Sequence, residues 1–425
     1  MTAARRAAVV GANRIPFGRV GGAYASVGNL EMLTAALEGL VARFSLQGER
    51  LGEVSAGAVL KHSRDFNLAR DAVLGSSLRP DTPAHDVQRA CATSLEALWG
   101  VSNKIALGQI DAGVAAGVDS ASDAPVVVTD RLRAVLSRVA RARTIAERAR
   151  ALLALRPADL VPVASGTADR HTGLSMGEHQ SLTNRRWGIT RQAQDEFALA
   201  SHRRLAAAYE DGLFDDLMTP LGGLTRDEPL RLDTSLERLA ALPTVFGAPP
   251  DATVTAGNAT PLSDGAAAVL LASDEWAAAR GLPVLAHVVD LEAAAVDYTG
   301  GAEGLLMGGA YAVPRLLARH GLNLADLDLV EVHEAFAGTV LTTLAAWADA
   351  DFCRTRAGVA DALGEVDRSR LNVAGSSLAT GHPFAATGAR IVGTLAALLA
   401  RRGGGRGLVS VCTAGGQAVA LLLEA

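Results

Sequence analysis

What most constrains the fold of this chain is an alternation: short β-like runs exchange with helical patterns along most of its 425 residues. Such alternation argues for an α/β protein with covered sheets rather than an all-α or all-β one. Two pieces follow one plan. In the first, a strand predicted to end at Ala90 leads into Cys91, then into a helix carrying Leu95, Leu98, Ile105 and Ala106, then into a strand from Gln109 to Val118. In the second, a segment from Leu371 passes His382 and enters an apolar helix around Ile391 to Leu399. Gly403-Gly404-Gly405 stops that helix, and a strand from Leu408 to Val411 delivers Cys412. Between Val128 and about Ala252 the character changes, with arginine clusters, Pro157, Pro162, Gly166 and several helical stretches. The first pattern resumes at Val254 to Thr260, and the second begins near Pro283.

A chain of 43.7 kDa with 49% apolar residues buries large cores, and its length allows two or three units of ordinary domain size. A formal charge of -5 and a pI near 6.0 give no global attraction to phosphate backbones, so nucleic acid is not an expected partner. The three cysteines, Cys91, Cys353 and Cys412, are too few and too scattered for a disulfide framework or a metal site, and they suit a reducing compartment. Met1 to Arg6 leads directly into a strand-like Ala7-Ala8-Val9-Val10, leaving no room for a signal peptide. No apolar run approaches the ~18 residues of a membrane span. A cytoplasmic protein is expected.

The residues able to carry chemistry lie at the turns. Cys91, where a strand yields to a helix, is expected near unpaired helix N-terminal amides and a positive dipole end, which favour a thiolate. A free thiol, with a pKa of about 8.5, is only a few per cent ionised at neutral pH, so a neighbouring base raises its reactive fraction. His382 stands between Gly381 and Pro383, where a small neighbour permits close approach and proline fixes the turn. Cys412 enters Thr413-Ala414-Gly415-Gly416, a stretch with few bulky side chains that brings backbone amides close to a ligand. His333, in His333-Glu334-Ala335-Phe336-Ala337, offers an imidazole N–H to a thioester or enolate oxygen. Nothing around Cys353 suggests chemistry, and it reads as a buried structural thiol.

These segments, Ala90-Cys91-Ala92-Thr93-Ser94, His333 to Ala337, Gly381-His382-Pro383 and Cys412 to Gly416, resemble those of the thiolases, 3-ketoacyl-CoA acyltransferases, and the resemblance runs over nearly all of the chain. His-Glu-Ala-Phe, where many thiolases have Asn-Glu-Ala-Phe, is similar to the branch that includes the β subunits of trifunctional fatty-acid oxidation complexes. The resemblance implies the thiolase fold: two similar βαβαβαββ halves in five layers, residues 1–127 with 253–280 and residues 281–425, plus an inserted loop domain, 128–252, over the CoA tail. It implies that His382 deprotonates Cys91, that Cys91 carries the acyl group, and that Cys412 is the general acid/base. The amides of Cys91 and Ala414 would form an oxyanion hole. Arg231 is implied for the nucleotide end of CoA, Ala256 and Thr260 for the pantetheine, and Phe246 and Phe336 as apolar walls.

The implied activity is CoA-dependent Claisen cleavage of 3-ketoacyl-CoA in β-oxidation, with CoA as substrate and no metal or redox cofactor. The alternatives are an acetoacetyl-CoA-forming acetyltransferase, a ketosynthase-like condensing enzyme, which typically has one cysteine and two histidines, and a non-catalytic lipid-binding scaffold. A homodimer or tetramer is expected, with a hydratase/dehydrogenase α subunit as a further partner of this branch. Two departures stand out: Ala374-Gly375-Ser376 where relatives read Asn-Gly-Gly, and Met176-Gly177-Glu178-His179-Gln180-Ser181 for Met-Gly-x-x-Ala-Glu. Finally, Arg131 to Arg156 holds eight arginines and one acid, Glu147. Leu132, Val135, Leu136, Val139, Ile145, Leu152 and Leu153 recur there at roughly helical spacing. One or two helices with an apolar stripe and a cationic face are expected, suited to CoA phosphates, an anionic membrane or a partner subunit.

Overall fold

The computed structural model describes residues 5–162, 168–247 and 252–425; Gly166 and Met1 to Ala4, named above, lie outside the described residues. The strands are β1 (Ala7–Arg14), β2 (Gly18–Arg19), β3 (Glu53–Ala56), β4 (Ala84–Asp86), β5 (Ala112–Ser120), β6 (Thr244–Phe246), β7 (Val254–Thr255), β8 (Ser263–Ser273), β9 (Ala286–Ala295), β10 (Leu329–Val332), β11 (Arg406–Thr413) and β12 (Gln417–Glu424). One mixed sheet runs β10-β11-β12-β9-β1-β8-β5-β3-β4, with β2 pairing β8, while β6 and β7 form a separate pair. Strands β1, β5 and β8 are buried along their whole length. That is why they read as continuous runs of Ala, Val and Leu rather than as an apolar/polar alternation.

The sheet is two copies of one motif joined at an edge. In the first, β3, β4 and β5 are parallel, and β8 returns antiparallel between β5 and β1. In the second, β10 and β11 are parallel, and β12 returns antiparallel between β11 and β9. The copies meet where Ala7 to Val9 of β1 pair antiparallel with Val288 to Ala286 of β9. The counterpart of β4 in the second copy shrinks to a single parallel bridge between Val330 and Leu371. Helices Thr93–Ala106 and Thr387–Arg402 lead into β5 and β11 and pack against each other between the halves, sharing a core of Leu95, Leu98, Ile105, Ile391, Val392 and Leu395. Each such side chain contributes about 1.5–3 kcal/mol by leaving water. The second helix, with the turn before it, is long and apolar enough to cross a membrane, but most of it is buried in this layer.

Two boundaries differ from expectation. Strand β4 ends at Asp86 rather than Ala90, because after Val87 bonds to the Ala56 carbonyl the chain turns on itself: the Arg89 amide donates to Thr93 Oγ1, which in turn donates to the Ala90 carbonyl. Strand β5 starts at Ala112, since the Gln109 amide still bonds back to Lys104 and finishes the preceding helix.

The segment between β5 and β6 is mainly helical. Helices Asp130–Arg141 and Ile145–Leu152 form a hairpin; Met176–Arg186 and Arg191–Glu210 follow. Ser175 with Glu178 and Thr144 with Glu147 make capping boxes that start their helices. In the hairpin only Val135 of the expected stripe is buried; Ile145 and Leu153 are 85% and 86% exposed. The arginine-rich segment therefore displays its apolar residues to solvent. Arg138, Arg141, Arg148 and Arg150 make no ion pair among the described residues.

Candidate active site

Cys91 sits one residue after Ala90, whose φ of +43° is uncommon for a side chain larger than glycine's. The left-handed kink, held by the bonds around Thr93, lifts the cysteine out of the strand direction before the helix Thr93–Ala106 begins. Its Sγ lies 3.2 Å from Nε2 of His382. The amides of Ala414 and of Cys91 itself are directed at the sulfur and favour its anion. Burial outweighs them and pushes the Cys91 thiol up to about 12, although the residue keeps part of its surface open. The expectation of unpaired helix-start amides at the sulfur is thus corrected: the Ala92 and Thr93 amides bond to the carbonyls of Arg89 and Ala90, and the amides that reach the sulfur are those of Cys91 and Ala414, against which burial acts.

His382 is delivered by the loop before the helix Thr387–Arg402. Gly381 has φ +94°, and a Cβ there would stand 2.4 Å from Ser263 Oγ, so only glycine lets the histidine backbone settle against β8. The His382 amide donates to that same Ser263 Oγ at 3.3 Å, and Nδ1 is 2.6 Å from Thr387 Oγ1. Burial, with the Arg390 charge, lowers the imidazole to about 3. Both shifts favour the uncharged forms of the facing thiol and imidazole.

His333, at the end of β10, brings its ring centroid to 4.2 Å from that of His382. It is fully buried; burial first, then the nearby His382 ring and the Arg390 charge, hold it well below the usual histidine range. Its Nδ1 is 2.9 Å from Ser377 Oγ, whereas Nε2 has no partner among the described residues. Cys412, buried at the end of β11, packs with Tyr298, Leu305, Leu306 and Phe336, against which Met176 and Phe246 also lie. Burial raises its thiol, and proximity to Cys91 raises it further. Beyond it Ala414 begins the turn through Gly415 and Gly416, both at positive φ.

The structure brings the expected Cys91, His333, His382, Cys412 and Ala414 into one cluster, and the apolar walls with them: Phe246 and Phe336 meet edge to face at 6.3 Å. Thr260 is tied to the same segment, its amide and hydroxyl both donating to the Ala335 carbonyl. Ala256 is exposed. Arg231 is held by its backbone, whose amide donates to His202 Nδ1, and its guanidinium lies near Arg19, a second cation that sequence reasoning missed. Neither arginine's guanidinium has an ion pair among the described residues, and Pro229, two residues away, abuts the space beside Gly381.

Other residues came to light only in the fold. Glu334 accepts from Ser201 Oγ (2.7 Å), Asn372 Nδ2 (2.8 Å) and the Leu378 amide (3.1 Å), fastening the end of β10 to the His382 loop and to the helix Arg191–Glu210. Ser376 explains the departure from Asn-Gly-Gly: its amide donates to Ser201 Oγ and its hydroxyl accepts from Arg390 Nη1. Asp119 accepts from the amides of Val59, Leu60 and Ala385, bracing the loop from beneath, and burial raises it to about 7. No sequence signal marked Asp119, and none gave Ser377 or Arg390 a role. Cys353 is buried and its thiol bonds to the carbonyls of Ala346 and Trp347, as a structural thiol does. Among the described residues no group of His, Cys, Asp and Glu is arranged to hold a metal.

This arrangement can acylate a thiol, stabilise an oxyanion and move a proton to or from carbon. Comparison with known proteins agrees with it. The family model for the thiolase N-terminal domain matches residues 7–275, and that for the thiolase C-terminal domain matches residues 282–425. A 3-ketoacyl-CoA thiolase of Pectobacterium carotovorum is 41% identical, covering 99% of this chain and 96% of its own length; one from Yersinia enterocolitica is 39% identical, covering 99% and 97%. Among solved structures, human mitochondrial 3-ketoacyl-CoA thiolase superposes with a TM-score of 0.82 at 29% identity, covering 99% of each chain. The Bacillus anthracis acetyl-CoA acetyltransferase does so with 0.82 at 30%, covering 100% of each.

Proposed function

From the premise that the chain belongs to the thiolase family, we propose how its residues carry out the reaction. The protein is an acyltransferase that cleaves 3-ketoacyl-CoA with CoA, yielding acetyl-CoA and an acyl-CoA shortened by two carbons. The observation that carries the residue assignment is the 3.2 Å contact between Cys91 Sγ and His382 Nε2. Cys91 sulfur bonds to the 3-keto carbon as His382 Nε2 takes the thiol proton. The amides of Cys91 and Ala414 hold the new oxyanion, a contact worth about 2.7–4 kcal/mol per donor. As the C2–C3 bond breaks, the electron pair stays on C2, the His333 N–H holds the enolate oxygen, and Cys412 supplies the proton that completes acetyl-CoA. The thiol of a second CoA, giving its proton to the Cys412 sulfur, then attacks the Cys91 thioester; the shortened acyl-CoA leaves as His382 returns its proton to Cys91. Arg231 and Arg19 are assigned to the anionic end of CoA, Ala256 and Thr260 to the pantetheine, and Phe246 and Phe336 to the walls beside Cys412.

Loss of 3-ketoacyl-CoA absorbance on adding CoA, measured across chain lengths, tests the reaction. Acid quenching after incubation with acyl-CoA, with mass-spectrometric mapping, tests the nucleophile. A thioester on Cys353, or none on Cys91, would refute it.

We further propose a cytoplasmic homodimer or tetramer, which light scattering at micromolar concentration tests; a 44-kDa particle would contradict it. The exposed Ile145 and Leu153 beside unpaired arginines support docking of the hairpin on an anionic membrane or on a hydratase/dehydrogenase subunit. Each arginine near an anionic surface contributes about 1 kcal/mol. Co-sedimentation with anionic and neutral vesicles, comparing wild type with Arg138, Arg141 and Arg143 changed to Glu, tests the membrane form. Absent or salt-insensitive binding in both proteins would end it.

A further inference from the structure

His333 Nε2, which has no partner among the described residues, raises the question of where its proton is. A neutral imidazole carries one N–H, and the hydrogen bond made by the other nitrogen decides which one. Here that other bond is to Ser377 Oγ, 2.9 Å from Nδ1. Ser377 is fully buried, and its hydroxyl has one further partner, Arg390 Nη2, at 2.7 Å. A guanidinium has five donors and no acceptor, so it can only give a hydrogen to Ser377. Among the described residues the single Ser377 O–H proton then has one acceptor, His333 Nδ1. Arg390 is itself held in place: Nη1 donates to Ser376 Oγ at 3.0 Å, and the buried carboxyl groups of Glu331 and Glu334 lie near enough to act on its charge.

We propose that Ser377, oriented by Arg390, is a positioning residue that fixes His333 as the Nε2–H tautomer and so supplies the N–H that meets the enolate oxygen. The inference rests on the thiolase reading of the site and deepens it. It also explains the division between the two histidines, whose rings stand 4.2 Å apart. His382 presents a bare Nε2 to a thiol, while His333 presents a protonated Nε2 to an oxygen. Burial together with the Arg390 charge keeps both rings neutral, as these opposite roles require. A wrong tautomer at His333 would aim a lone pair at the developing negative charge.

Two measurements on the full-length protein test this. In protein labelled with 15N-histidine, the ring-nitrogen shifts of His333, identified by their loss in His333→Asn, are expected to show Nε2–H. A wild-type ring protonated at Nδ1, or at both nitrogens, overturns the proposal. The second measurement compares thiolysis of 3-ketoacyl-CoA with exchange of the acyl group between acyl-CoA and isotope-labelled CoA. Exchange uses Cys91 and His382 but breaks no carbon–carbon bond. Ser377→Ala is expected to lower kcat for thiolysis about 10–100-fold while exchange stays within about threefold, since only the enolate-forming step loses a donor. Ser377→Thr, which retains the hydroxyl, is expected to restore thiolysis. Equal loss of both activities, unchanged thiolysis in Ser377→Ala, or a threonine variant as impaired as the alanine one each overturn it. A wild type with neither activity refutes the reading of Cys91 as nucleophile instead, and the ring-nitrogen spectrum still decides the tautomer.

Discussion

Replacing Thr387 by valine tests the acylation half of the mechanism, because the substitution keeps the side chain's shape and deletes one oxygen. His382 Nδ1 lies 2.6 Å from Thr387 Oγ1, and both residues are buried. For Nε2 to receive the Cys91 proton across 3.2 Å, Nδ1 must carry the ring's hydrogen, and Thr387 Oγ1 is its acceptor. In Thr387→Val the buried N–H has no partner, a deficit of about 1–3 kcal/mol. The deficit grows as the ring becomes cationic, so it falls mainly on the transition state and appears in kcat. At about 1.4 kcal/mol per factor of ten, the expected loss is roughly 10–100-fold. His382 acts whenever the Cys91 thiol is attacking or leaving, so acyl exchange and thiolysis should fall together, unlike the split expected for Ser377→Ala. Thr387→Ser should recover most of the rate. The assay is steady-state exchange with labelled CoA at saturating acyl-CoA, with Tm as the control for folding. A valine variant with wild-type Tm and exchange within twofold of wild type would refute the role of Thr387, and with it the assignment of the Nδ1 proton.

Cys412→Ser should still form the Cys91 thioester while thiolysis falls about 10²–10⁴-fold, because a hydroxyl is a poor acid toward carbon; equal loss of acylation and cleavage would contradict the division of labour between the cysteines. Gly381→Ala forces a positive φ on alanine and a Cβ into Ser263 Oγ, so urea unfolding should show a loss of about 2–4 kcal/mol together with slowed acylation. Burial, opposed by the Arg390 charge, raises Glu331 to about 8, against about 4.3 when unfolded. A carboxyl with a raised folded-state pKa confers stability that is complete below its unfolded value and is lost as pH climbs through the folded one. Glu331→Gln abolishes that loss, so its stability relative to wild type should rise between pH 5 and pH 7.5 by up to about 1.4 kcal/mol per pH unit in urea titrations; a difference independent of pH would rule out a protonated Glu331.

Local physics was legible in the sequence. The α/β alternation, the helix stop at Gly403, and Cys91, His382 and Cys412 at element ends follow from short-range preferences of neighbouring residues and appear in the structure, whereas the two copies of one plan, which share little sequence, are read mainly from the family resemblance. The strand boundary before Cys91 did not follow, because the Thr93 bonds that curl the chain there compete with a sheet ladder whose partner strand is distant in sequence. The same limit governs the chemistry. Cys91 and His382 stand 291 residues apart, and no local rule sets the 3.2 Å between them. A helix start, readable after Cys91, argues for a thiolate; the amides that reach the sulfur, one of them from distant Ala414, and the desolvation that outweighs them exist only once the halves have closed. Glu334, Asp119, Ser377 and Arg390 are ordinary polar residues in a string of letters. Their roles come from burial, which leaves each donor and acceptor so few partners that the fold alone decides where each proton lies.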